Sequence, residues 1–209
     1  MAGRGGGRGH DIVGRGPRLH LRPLSVRDRS PFLRATRSSL RLHHPWIYPP
    51  TTHEAFRRLV AEGGLPSRQR LLSRSNSDDS VVGYFSLGEI ARGSFKSAYL
   101  GYWCAACYVR QGAMREGMGL LLRHAFGHLK LHRLEANIQP LNGASIALVR
   151  KSGFRFEGFS PRYLKVGGRW RDHERWAMTI EDWQSLPVGQ RRGWEQPAGL
   201  APLICRADS

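Results

Sequence analysis

The stretch VRQGAMREGMGLLLRHAF, residues 109–126, sets Gly112 ahead of an apolar run and Gly117 and Gly119 inside it. The first turn of a helix carries N–H groups without intrahelical acceptors, and the helix dipole adds partial positive charge there. A glycine at that entry lets an anion approach the main chain, so a phosphate can be held without a lysine. Gly112 is the glycine so placed. Gly117 and Gly119 fall within the helix, each at a cost of about 1 kcal/mol relative to alanine, and close packing on a sheet accounts for them. A second suggestive spacing is the C-x-x-C of Cys104 and Cys107. It follows a strand, where odd spacing sends two side chains to opposite faces. With no second pair and no histidine set nearby, the three cysteines make neither a metal site nor a disulfide framework. They read as buried or lining residues of a protein from a reducing cytoplasm.

The elements that must position Gly112 follow from pattern. RLHLR (18–22) alternates as a first strand, and Ser25 caps a helical pattern reaching Leu40. HHPWIYPP (43–50) holds three prolines and is a loop. A second helix starts at Thr51 or Thr52 and stops at Gly63-Gly64. Residues 68–75 and 80–90 pair as a hairpin around NSDD, and 96–104 gives another strand. The helix after Gly112 carries an apolar stripe at Met114, Met118, Leu121, Leu122, Ala125 and Leu129. A strand over 132–139 precedes a helix over 142–153, with Asn142 near its cap and Gly153 past its end. Two more strands complete the pattern, the second over 169–180. The order β-α-α-β-β-β-α-β-α-β-β predicts an α/β (α+β) fold: a central mixed, mostly antiparallel sheet with helices on both faces.

Residues 1–16, rich in Gly and Arg, are expected to be a flexible basic tail. A single domain over 17–183 and a Pro/Gly-rich tail over 184–209 complete the layout. The start has no apolar core of a signal peptide, and no apolar stretch is long enough to span a bilayer. The 33 Lys and Arg against 16 Asp and Glu give a net charge of +17, which favours nucleic acid or another polyanion as partner. The arginines are spread along the chain, as a solvated surface would also have them.

Three blocks carry a family likeness: VVGYFSLGEIARGSFKSAYLGYW, LHRLEANIQPLNGASIALVRKSGFRFEG and YLKVGGRWRDHERWAM. With RLHLRPLSVRDR near the start, they resemble the GNAT acyl-CoA N-acetyltransferases of the ribosomal-protein-alanine (RimJ/RimL-like) branch over nearly all of 18–183. The resemblance implies a phosphate loop of the form Q/R-x-x-G-x-G/A at Val109, Arg110, Gln111, Gly112, Ala113 and Met114. Val109 departs from that form, and Arg110 or Arg115 compensates. It implies acetyl-CoA as cosubstrate, no metal, and direct attack of an amine on the thioester in a ternary complex. Cys104 and Ala105 would offer a backbone N–H to the carbonyl oxygen. Ser145 would give a proton to the leaving thiolate, a role compatible with helix capping, and Asn142 would contact the pantetheine arm. Glu89, the only acid on the strand before GYW, is the candidate base through water. Trp46 and Tyr48 would wall the acceptor pocket. Asp172, His173, His132, Arg133 and Glu135 read as structural. The implied acceptor is the N-terminal α-amine, an alanine, of a ribosomal or other protein. The alternatives are a small amine (antibiotic or polyamine) and a non-catalytic nucleic-acid-binding module. A cytoplasmic monomer or homodimer, associated with ribosome or RNA through its basic surface and not with membrane, completes the expectation.

Overall fold

The computed structural model describes residues 12–188 and 201–205. Along the chain lie β1 (Gly14–Arg15), β2 (Leu19–Pro23), α1 (Arg29–Ser38), α2 (Leu40–His43), α3 (His53–Glu62), β3 (Gln69–Ser75) and β4 (Val81–Ala91). Then come β5 (Ser97–Cys104), α4 (Ala113–Leu122), β6 (Arg133–Ile138), α5 (Gly143–Lys151), β7 (Arg155–Val166), β8 (Arg169–Thr179) and α6 (Ile180–Ser185). The sequence order is kept, with β1, the one-turn α2 and α6 added. Ser25 acts through a one-turn segment, Val26–Asp28: its N–H donates to Asp28 Oδ2 at 2.9 Å, and Arg22 and Arg74 grip the buried Asp28.

The described strands form one sheet in the spatial order β1-β2-β3-β4-β5-β6-β8-β7. Only β5 and β6 run parallel. Their pairing is confined to Ser97–Tyr99 against Arg133–Glu135. Beyond Tyr99 the two strands part, and β5 continues to Cys104 with a free edge towards β6. This splay is the topological opening of the sheet.

Alternation along β4 shows how both faces are covered. Tyr84 stacks on Trp103 at 5.8 Å, and Phe32 of α1 meets both of them and Phe56 of α3. Phe85, one residue on, faces α4, where a Cβ on Gly117 would stand 2.6 Å from its ring. Gly117 is therefore a packing glycine, as expected. The apolar stripe of α4 is buried at Met118, Leu121, Leu122 and Ala125, the last in a π-helical turn (123–128) that extends the helix.

The tail boundaries need correction. Val13 N–H donates to Leu21 O and Gly16 N–H to Leu19 O, both at 2.8 Å, so the sheet reaches back to β1 inside the expected tail. At the other end Leu186 packs on the core, and Leu203 is buried. Short apolar segments next to tails carry no periodicity long enough to announce such docking. Residues 1–11, 189–200 and 206–209 lie outside the described residues.

Candidate active site

At the end of β5 the chain turns through Ala106–Tyr108 and enters α4 by way of Arg110 and Gly112, both left-handed at φ +60° and +74°. Gly112 caps α4: its carbonyl accepts from Arg115 and Glu116 N–H, both at 3.1 Å. Among the described residues nothing accepts from the N–H groups of Gly112, Ala113 and Met114. Donors of this kind, at the positive end of a helix dipole, suit an anion. The observation fits a CoA diphosphate, which the main chain from Gln111 to Met114 would hold. Val109 is exposed at the loop's rim and Ala113 is buried beneath it.

A buried ion pair lies under the loop. Glu116, with no exposed surface, accepts from Arg18 N–H at 2.8 Å, Arg18 Nε at 2.9 Å and Leu19 N–H at 3.2 Å. Arg18 Nη1 donates to Gln111 O at 2.9 Å. Neither residue was singled out from the sequence. The available signal was an acid on the apolar face of α4, between Ala113 and Leu120.

Beside the loop, Gln111 Nε2 donates to Cys107 O (2.9 Å) and Ile204 O (2.8 Å), while its Oε1 accepts from Ile204 N–H (3.1 Å). Cys107 and Cys205 form a disulfide, with Cα atoms 4.7 Å apart. This overturns the reading of three unpaired cysteines. The partners are 98 residues apart, and only docking of the C-terminal segment brings them together.

The splay supplies the second part of the site. Ala105 N–H donates to Val82 O of β4 at 2.9 Å, so by alternation the main-chain groups of Cys104 and Tyr102 face β6. Cys104 N–H is thus aimed into the opening, whereas Ala105 N–H is not, which corrects half of the expectation for that pair. His43 Nε2 donates to Cys104 O at 2.9 Å and fixes the strand end. Burial holds the His43 imidazole below its ordinary range, hence neutral, and its Nδ1 has no partner. The half-buried Cys104 thiol is pushed up to about 12 by burial and stays protonated.

Tyr102 reaches across the opening. Its hydroxyl donates to Ser145 O at 3.3 Å, and burial raises its pKa. Asn142 caps α5, accepting from Ser145 N–H at 3.2 Å. Ser145, Asn142 and Tyr102 therefore meet at one wall of the splay. Tyr102 was missed in the sequence because its neighbours in YLGYWC read equally well as core.

On the β6 side of the opening lies a cavity of about 480 Å³ lined by Trp46, Gln139, Leu141, Phe159, Trp170 and Asp172, among others. Gln139 Nε2 donates to Trp46 O at 3.0 Å, tying the Pro-rich loop over the end of β6. Tyr48 is turned elsewhere: its ring lies tilted against His44 and covers Gly167 of the β7–β8 turn. Asp172 Oδ1 accepts from Arg162 N–H at 2.7 Å, and the buried His173 shares a bond with Arg171 O.

Glu89 does not join this assembly. It sits exposed on a β4 bulge at φ +48°, bonded to Arg68. Gly83, not Glu89, pairs with Cys104, and six residues of strand separate them, about 20 Å. His132 and Arg133 lie at the far end of the sheet too, bonded to Glu181 and to Glu135 and Glu157.

A helix capped by a left-handed glycine thus follows a strand that splays from its parallel neighbour, inside a mixed sheet covered by helices on both faces. Residues 18–155 match the family model described as an acetyltransferase (GNAT) domain, and the chain belongs to that family. It is 38% identical over 106 residues to the probable N-acetyltransferase YjcK of Bacillus subtilis, covering 51% of this chain and 59% of that protein. The [ribosomal protein uS5]-alanine N-acetyltransferase of Escherichia coli is 34% identical over 106 residues, covering 51% and 55%. The matched stretch thus spans little more than half the length of these curated relatives. Among solved structures, Mycobacterium smegmatis RimJ in complex with CoA-disulfide superposes with a TM-score of 0.74 at 28% identity, covering 83% of this chain and 87% of that one.

Proposed function

We propose that the protein transfers the acetyl group of acetyl-CoA to the N-terminal α-amine, an alanine, of a ribosomal or other protein, by direct attack in a ternary complex. The splay between β5 and β6, with the capped loop at its mouth, carries this reading. The loop amides from Gln111 to Met114 bind the diphosphate, and the free edge of β5 receives the pantetheine arm beside Asn142. The cosubstrate supplies a thioester. Cys104 N–H donates to its carbonyl oxygen as negative charge develops there. Ser145 Oγ delivers a proton to the departing sulfur, with Tyr102 holding the first turn of α5 in place.

With Glu89 remote, the identity of the acceptor decides how much base help is needed. An α-amine with a pKa near 8 is about a fifth neutral at pH 7.4, against roughly a thousandth for a lysine. Alignment in the ternary complex then supplies most of the acceleration. The cavity's apolar walls, Trp46, Leu141, Phe159 and Trp170, suit the first side chains of a peptide. A polyamine would want acids, and the lining offers Asp172, already engaged by Arg162 N–H, beside Arg171. At +17, the protein is drawn to the polyanionic ribosome.

The test is acetyl-CoA with a panel of N-terminal peptides, lysine peptides and small amines, read by mass spectrometry. Acetylated Ala-peptides are expected; turnover on small amines alone would replace this acceptor. No turnover, together with RNA binding that vanishes when residues 1–16 are removed, would favour the binding module. Ser145→Ala should lower kcat by about tenfold or more with the acetyl-CoA KM little changed. Ribosome association should disappear by about 0.5 M salt.

A further inference from the structure

Arg18 is at least nine-tenths buried, and its guanidinium divides its donors between two elements. Nε goes to Glu116, inside α4, and Nη1 to the carbonyl of Gln111, in the loop. Nη2 is buried and, among the described residues, has no partner; it lies 3.4 Å from where a Cβ on Gly112 would stand. The guanidinium thus lies between the Glu116 carboxylate and the loop, with the positive end of the ion pair turned to Gly112.

The bond to Gln111 O has a geometric consequence. In a trans peptide the C=O and the following N–H point in opposite directions. With the Gln111 carbonyl drawn inward onto Arg18, the N–H of Gly112 is turned outward, away from the core. Gly112 at φ +74° then allows the next N–H groups to follow into the helix. A buried donor left without an acceptor costs stability, and such a group calls for a reason. Nothing in the packing of α4 requires it: Glu116 is satisfied by the two main-chain amides and Nε alone.

We propose that Arg18 is a positioning residue for the CoA diphosphate. It acts through the Gln111–Gly112 peptide, which it locks with its N–H towards the ligand, and turns the cationic end of the Arg18–Glu116 pair to the back of that peptide. The inference rests on the acetyl-CoA reading of the loop. It assigns part of the affinity to a residue nearly a hundred positions upstream in the chain, on the first turn before β2.

Calorimetry with CoA, and in parallel with acetyl-pantetheine, which lacks the diphosphate, tests this. Arg18→Lys keeps a cation for Glu116 but cannot also reach Gln111 O, and should weaken CoA binding about tenfold. Acetyl-pantetheine binding should change less than twofold. Arg18→Met should lose at least as much for CoA. Glu116→Gln, which leaves Arg18 charged but less well held, provides an intermediate loss should Arg18→Met fail to fold. Equal weakening of both ligands would make Arg18 merely structural and overturn the proposal, as would unchanged CoA affinity in a folded Arg18→Lys protein. Absence of CoA binding to the wild-type protein would overturn the functional reading and this inference with it.

Discussion

The loop that opens α4 and the β7–β8 hairpin flank the proposed site from opposite sides, and they are built differently. Around the loop, positions are set by main chain and by buried groups: the Gly112 cap, Gly117 against Phe85, and the Arg18–Glu116 pair. Along the hairpin, large side chains stand in solvent, with Phe159 52% and Trp170 62% exposed. Exposed apolar surface next to a cavity marks where a partner is bound. The comparison separates a fixed half, which under the proposed function presents one cosubstrate identically each time, from a half whose side chains can be exchanged without disturbing the core.

Substitutions should reproduce that division. The largest effect belongs to Gly117→Val, which forces a side chain into the Phe85 ring and should cost about 1–3 kcal/mol, lowering Tm by several degrees. Next is Gly112→Val: a branched residue at φ +74° is strained and shields the amides, so the acetyl-CoA KM should rise about tenfold while the acceptor KM holds. Trp170→Ala should do the reverse, raising the acceptor KM about threefold to tenfold with Tm nearly unchanged. Such an effect on acetyl-CoA instead would merge the two halves.

Acid should weaken the fold. Burial lowers the pKa of His43, His124 and His173, that of His124 to about 4. An unfolded histidine takes up its proton near 6.5, so the unfolded state binds more protons below that value. The stability these groups support is therefore present above pH 6.5 and is lost progressively towards pH 4. A Tm series across that range should show the fall, and His124→Gln should flatten it. Glu89→Gln should have the smallest effect, leaving kcat within twofold; a large loss would restore it as a participant.

The same division explains what could be read from the sequence. Gly112, the stripe of α4 and the Asn142 cap announce themselves through local pattern, because backbone conformation and periodicity are local properties. The order of elements along the chain followed for the same reason. Glu89 misled because residue type and strand assignment say nothing about which end of an eleven-residue strand meets the site. Tyr48 failed similarly: a proline-rich loop can be recognised, but the way each of its rings points depends on the β7–β8 turn. Arg18 with Glu116, Tyr102 with Ser145, and Cys107 with Cys205 are tertiary encounters between distant segments, with no periodic signature.

The clasp between Cys205 and Cys107 also bears on how the molecule can be handled. It joins through sulfur two segments that also meet by hydrogen bonds, the main chain of Ile204 and the side chain of Gln111. A thiol reductant would sever that link, so its presence in the buffer becomes a variable of every titration.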